Sequence, residues 1–196
     1  MCTVTTASAA TPVRLVATAL AVVSFLAFLA VGRADGAQRS AEAYLAPEAA
    51  CASAFDPNAA PAVQARAIAC LVNWARAQDQ RSRLVPRSAL QVAAALKGER
   101  VAACGQFSHT PCGTAVTSAV QASGYRYAIF GENLYAGTWG RVTARDVVLA
   151  WLESPPHRAN LLNPQFHDLG AAAVRANGLL GGSTAVVWTA TFGSRR

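Results

Sequence analysis

Charge is scarce in this chain. Only 14% of its 196 residues are charged, 53% are hydrophobic, and the mean hydropathy is +0.26. That balance excludes a disordered chain, which carries many charges and few large apolar groups. Acidic residues number 10 against 17 basic ones, a net charge of +7, yet the basic residues are scattered singly and no run exceeds Arg195-Arg196. Scattered charge belongs to a solvated surface, so nucleic acid is not an expected partner despite the basic balance. No C-x-x-C pair is present, which disfavours a zinc site built from cysteine alone. Histidine is limited to three residues, and no internal repeat is found. The length suits one domain with a tail.

Hydrophobicity is concentrated near the start. Leu15 to Val31 is a run of seventeen residues without charge, preceded by Arg14 and followed by Arg33 and Asp35. A secretory apolar segment has about 7 to 15 residues and a membrane-spanning helix about 17 to 25, so the run lies between the two classes. Small residues in Gly32-Arg33-Ala34 and at Ala37 offer cleavage sites. Residues 1–37 are therefore expected to be a signal peptide, with an uncleaved N-terminal membrane anchor as the alternative. Either places the remainder outside the cytoplasm, extracellular or in the cell envelope, and only the uncleaved form would touch a membrane. Without residues 1–37 the chain keeps fifteen basic and nine acidic residues, a net charge of +6.

Four cysteines follow the leader: Cys51, Cys70, Cys104 and Cys112. An even number in an oxidising compartment reads as two disulfides. Closeness in sequence favours Cys51 with Cys70 and Cys104 with Cys112; the other pairings, or four buried thiols, are the alternatives.

Residues 38–54 lack periodicity and read as a linker, with the domain beginning near Cys51 and occupying 55–196. After the breakers Asp56-Pro57-Asn58 and Pro61, helical spacing of Val63, Ala67, Cys70 or Leu71, Trp74 and Gln78 predicts a helix over 61–79. Further helices are expected over 88–103, ending at Cys104-Gly105, over 115–122, and from the capping box Thr143-x-x-Asp146 through Trp151. Residues 125–135, 168–176 and 184–192 are β-prone, the last two separated by Asn177-Gly178 and Gly181-Gly182 as in an antiparallel hairpin. Helices covering an antiparallel sheet make an α+β fold. Trp74, Trp151 and Trp188 are expected in the core; Trp139 and His167 are expected at the surface.

The residues able to carry chemistry are His109, in Phe107-Ser108-His109-Thr110, His157, in Pro155-Pro156-His157-Arg158-Ala159-Asn160, and Glu132 of Gly131-Glu132-Asn133. Imidazoles supply neutral nitrogen ligands or proton acceptors and the carboxylate a charge-compensating acceptor, so the three could serve a zinc site or acid–base chemistry. They could equally form a buried polar network that fixes loops. No nucleophile paired with histidine is evident, since the four cysteines are better used in bridges.

Taken in order, FSHT, GEN, SPPHRANLLNPQF, DLG and VVWTATFG resemble the bacterial branch of the CAP superfamily (cysteine-rich secretory proteins, antigen 5, pathogenesis-related 1), or SCP domain, over about Ala67 to Gly193. The resemblance implies a three-layer α-β-α sandwich with a central antiparallel sheet. It also implies a cleft lined by two histidines and two glutamates, in which the histidines hold a divalent metal in some members. His109, Glu132 and His157 match three of the four positions. At the fourth, the family pattern falls on Ser154, with Glu153 one residue early. Asn160 replaces a glutamine, and Asn133 supports the cleft. Two functions are implied. The first is a secreted, non-catalytic module binding a small apolar ligand, lipid, envelope component or partner protein, with no cofactor required. The second is a metal-dependent hydrolase holding zinc on His109 and His157 with Glu132 as base. The missing fourth acid and absent nucleophile favour the first.

Overall fold

The computed structural model describes residues 39–196. The expected signal peptide or anchor, residues 1–37, lies outside them. Five helices and four strands follow in the order α1 (Pro61–Gln78), β1 (Val85–Pro86), α2 (Ser88–Cys104), α3 (Ser118–Ala122), β2 (Tyr127–Thr138), α4 (Ala144–Glu153), α5 (Pro155–Leu162), β3 (Asp168–Leu180) and β4 (Ser183–Arg195).

Local chemistry sets the main boundaries. Asn58 donates its backbone N–H to Asp56 Oδ1 at 2.8 Å, a turn that stops the chain before Pro61 opens α1 as its first helical residue. The Thr143 hydroxyl accepts from the Asp146 N–H, and the Asp146 carboxylate accepts from the Thr143 N–H, closing the expected capping box of α4. Pro155 and Pro156, whose composition reads as a breaker, open α5 because the first helical positions have no use for an N–H. This helix was not expected from the sequence.

The strand order is β1-β3-β4-β2. β3 and β4 form the expected antiparallel hairpin, but it turns at Gly181-Gly182, where both φ angles are positive (67° and 88°), and Asn177-Gly178 lies inside β3 at a register shift. β4 also pairs antiparallel with β2, while the two-residue β1 adds a parallel edge to β3. Successive residues of β4 face opposite layers. Val186, Trp188, Ala190 and Phe192 join the main core with Ile68, Leu71 and Val72 of α1 and Val147, Val148 and Trp151 of α4. Ala185 and Val187 pack on the other face with Val101 of α2. The result is the α-β-α sandwich.

Both favoured disulfides are present, Cys51–Cys70 and Cys104–Cys112. The segment read as a linker is part of the folded unit. Tyr44, Leu45 and Ala46 are buried in the main core. The Tyr44 hydroxyl donates to Asp79 Oδ1 at 3.0 Å, and the Arg158 guanidinium lies 4.6 Å from the Tyr44 ring centroid. The segment's only regular structure is the short turns Ala41–Tyr44 and Ala52–Ala54, too brief to leave a periodic signature. Trp151 and Trp188 are core residues, as expected, their indole N–H groups donating to Leu134 O and Gln64 Oε1. Trp74 is only half-buried, and Trp139 is half-covered by the Arg175 guanidinium at 3.9 Å. His167 is exposed.

Candidate functional site

β2 is an edge strand of the sheet, and the Gly131-Glu132-Asn133 word lies on it. Strand alternation sends Glu132 and Asn133 to opposite faces, so neighbouring residues hold parts of two different layers. Glu132 faces α2 and accepts from His109, Nδ1 to Oε1 2.8 Å. Asn133 faces α5 and donates to the His157 carbonyl at 3.0 Å. Asn160 completes the second side, donating to Asn133 Oδ1 at 2.8 Å and to the Glu132 carbonyl at 3.3 Å. Gly131 has a steric reason: a Cβ there would lie 2.7 Å from Phe166 Cζ and 3.1 Å from Asn160 Oδ1. The word thus meets the His109 imidazole through Glu132 and the His157 backbone through Asn133.

His109 sits in the loop that the Cys104–Cys112 bridge fastens to the end of α2. Its side chain is 48% exposed, whereas that of Glu132 is only 3% exposed. With Nδ1 engaged by the carboxylate, Nε2 is the nitrogen left for a ligand. His157 is arranged similarly, its Nδ1 lying 2.9 Å from Ser154 Oγ. Burial, and secondarily the charge of His109, hold the His157 imidazole below its ordinary pKa.

Of the two residues considered for the fourth position, Ser154 meets His157, while Glu153 is exposed and its side chain makes no hydrogen bond or ion pair among the described residues. The Ser154–His157 contact joins the N-cap of α5 to its third residue. It pairs a hydroxyl with an imidazole, but among the described residues no third side chain hydrogen-bonds the other ring nitrogen of His157, as a hydroxyl nucleophile's base requires.

Lys97 was not singled out by the motifs. It is the only lysine of the chain and its side chain is fully buried in α2. Its ammonium lies 3.2 Å from Glu132 Oε1 and donates to the carbonyls of His109 (2.5 Å) and Val116 (3.4 Å). It both balances the buried carboxylate and fixes the backbone that carries His109. The one available signal was its rarity, a lone lysine among arginines within an alanine-rich helix. A second missed residue is Arg76 of α1, fully buried and donating to the carbonyls of Ser82, Leu161, Asn163 and Phe166. It ties the end of α5, and hence the His157 side of the site, to α1.

Residues 70–192 match the family described as CAP, cysteine-rich secretory protein family. The uncharacterized protein YkwD of Bacillus subtilis is 35% identical over 69 residues, a stretch covering 35% of this chain and 23% of that protein. The match thus spans less than a quarter of the relative. Among solved structures, an extracellular protein containing a SCP domain from Bacillus anthracis superposes with a TM-score of 0.56 at 23% identity, covering 69% of this chain and 41% of that one. An outer surface protein from Borrelia burgdorferi gives 0.57 at 19% identity, covering 68% of this chain and 93% of that one. At these identities the structural likeness concerns the fold.

Proposed function

The chain belongs to the CAP, or cysteine-rich secretory protein, family, and from that premise we propose an exported, non-catalytic binding module whose His109, Glu132 and His157 cleft recognises a ligand. The observation that carries this reading is the condition of Glu132. A single oxygen of its carboxylate is shared by His109 Nδ1 at 2.8 Å and the Lys97 ammonium at 3.2 Å, within a buried setting. A general base must reach the proton that it removes; this carboxylate is occupied in orienting an imidazole and is neutralised by a lysine. Ser154 stands where a second acid would be needed.

A zinc ion would be held by Nε2 of His109 and of His157, and would polarise a substrate carbonyl or activate water. The donor set does not fit that role. A catalytic zinc takes three protein ligands, and among the described residues no three His, Cys, Asp or Glu side chains form a group able to hold a metal. The Lys97 ammonium also opposes recruitment of Glu132 by a cation.

The expected ligand is a small apolar molecule, a lipid, an envelope component or a partner protein. Two exposed apolar side chains support this reading: Phe107, 52% exposed and two residues from His109, and Val116, 38% exposed, whose carbonyl Lys97 holds. Two disulfides and the apolar leader support export. The test is metal analysis of the purified chain, alone and as His109→Ala and His157→Ala. The binding reading expects substoichiometric zinc in all three proteins. One zinc per chain in the unsubstituted protein, lost in both variants, would instead establish the metal-dependent hydrolase as the reading to pursue.

A further inference from the structure

The two disulfides differ in their surroundings. Cys51 is buried in the main core and Cys70 packs against it, whereas Cys104 is half-buried at the end of α2 and Cys112 is exposed. Thiol–disulfide exchange begins with a thiolate attacking one sulfur, so access to the bridge governs its rate. Cys112 is the one exposed cysteine of the four.

The backbone at Cys112 adds a second distinction. Its φ of 51° lies in the left-handed region, which a residue carrying a Cβ occupies only when its surroundings hold it there. The bridge to Cys104 holds it, together with its own N–H, which donates to Gln106 Oε1 at 2.8 Å. Opening the bridge lets this residue relax.

The fold at large depends little on this bridge. Its cysteines are eight positions apart against nineteen for Cys51 and Cys70, and the shorter loop restricts the unfolded chain less, so its loss costs the domain less stability. Locally the loss is larger. Of residues 105–113 only Pro111 is buried, so the segment has almost no apolar anchor, and His109 lies at its middle. Without the bridge, the position of His109 rests on its Nδ1 contact with Glu132 and on the Lys97 ammonium that holds its carbonyl.

We propose that Cys104–Cys112 is a thiol-exchange site, opened by a small dithiol, that sets the order of the loop presenting His109. A thiolate of the dithiol attacks Cys112 Sγ; the S–S bond breaks and its electron pair leaves on Cys104 Sγ, which takes up a proton. The second thiol of the reagent then attacks the reagent's own sulfur in the mixed disulfide and expels Cys112, which is protonated in turn. The bridge gains two electrons and two protons, and the dithiol becomes a cyclic disulfide. Cys51–Cys70 stays closed throughout. The inference rests on where His109 sits and not on what the cleft binds, so it stands or falls apart from the function proposed above.

The test is graded reduction of the native full chain with dithiothreitol, trapping thiols with iodoacetamide and mapping each cysteine by peptide mass, while proton–nitrogen-15 spectra follow His109 and the sheet. Cys104 and Cys112 should be labelled at least about tenfold faster than Cys51 and Cys70. The His109 signals should shift as they are labelled, while the backbone signals of β3 and β4 stay, and in an unalkylated sample an excess of the oxidised reagent should reverse the shift. In Cys104→Ala/Cys112→Ala, His109 should already show the shifted signals and ignore dithiothreitol. Equal rates for the two bridges, or earlier opening of Cys51–Cys70, would overturn the proposal. So would unchanged His109 signals once Cys104 and Cys112 are labelled, or a response to dithiothreitol in the double variant. If that variant fails to fold, residue-by-residue labelling of the unsubstituted chain still decides.

Discussion

At the scale of single residues, the site is organised by a buried charge pair. Removing the lysine alone leaves an uncompensated carboxylate in the interior, a loss of about 3 kcal/mol. Lys97→Met should therefore lower urea-unfolding stability by about that amount, and adding Glu132→Gln should recover more than half of it; equal stability of single and double variants would show that the two are uncoupled. His157 makes a second residue-level prediction. Its native pKa lies below the ordinary value of 6.5, so the unfolded chain binds the proton first as acid is added. The stability associated with its neutral state is full above pH 6.5 and declines as pH falls through the native pKa. Unfolding free energy measured between pH 7.5 and 5 should fall less in His157→Gln than in the unsubstituted chain; parallel profiles would contradict the assignment. His109, Glu132 and His157 were legible through family words, not through spacings of 23 and 25 residues. Lys97 was not legible, because a lysine in a helix reads as solvated until β2 is known to lie beneath it.

At the scale of elements, local rules succeeded where they are strong. The capping box of α4 and the turn-separated strands β3 and β4 follow from short-range hydrogen bonding and strand alternation. Thr143→Ala should cost about 1 kcal/mol in urea unfolding through loss of the cap; no change would mean that α4 is held by packing alone. Two readings failed for a shared reason: the tail of 38–54 and α5 are short, and their placement comes from tertiary contacts made by Tyr44 and Arg76. The Cys104–Cys112 bridge acts on the element that presents His109. Replacing both cysteines by alanine should accelerate amide exchange across residues 105–113 while leaving β3 and β4 protected. Uniform acceleration would assign the bridge to global stability instead.

At the scale of the molecule, composition bounded the answer and topology supplied the site. The low charge content is explained by a sheet covered on both faces, with β4 buried from Ala185 to Ser194. The pairing of four cysteines into two bridges has a direct readout: a chain lacking residues 1–37, denatured without reductant, should take up no thiol label, and two or more labels would refute both bridges. What composition could not give is the convergence of two layers on the β2 edge, which depends on strand order.

The central claim is that the two imidazoles form a recognition cleft whose carboxylate is already neutralised. Nitrogen-15 spectra of histidine-labelled protein, followed while zinc is added, test it most directly. The account predicts that one equivalent of zinc leaves the Nε2 resonances of His109 and His157 in place. Joint displacement of both Nε2 signals, complete at one equivalent, would contradict it.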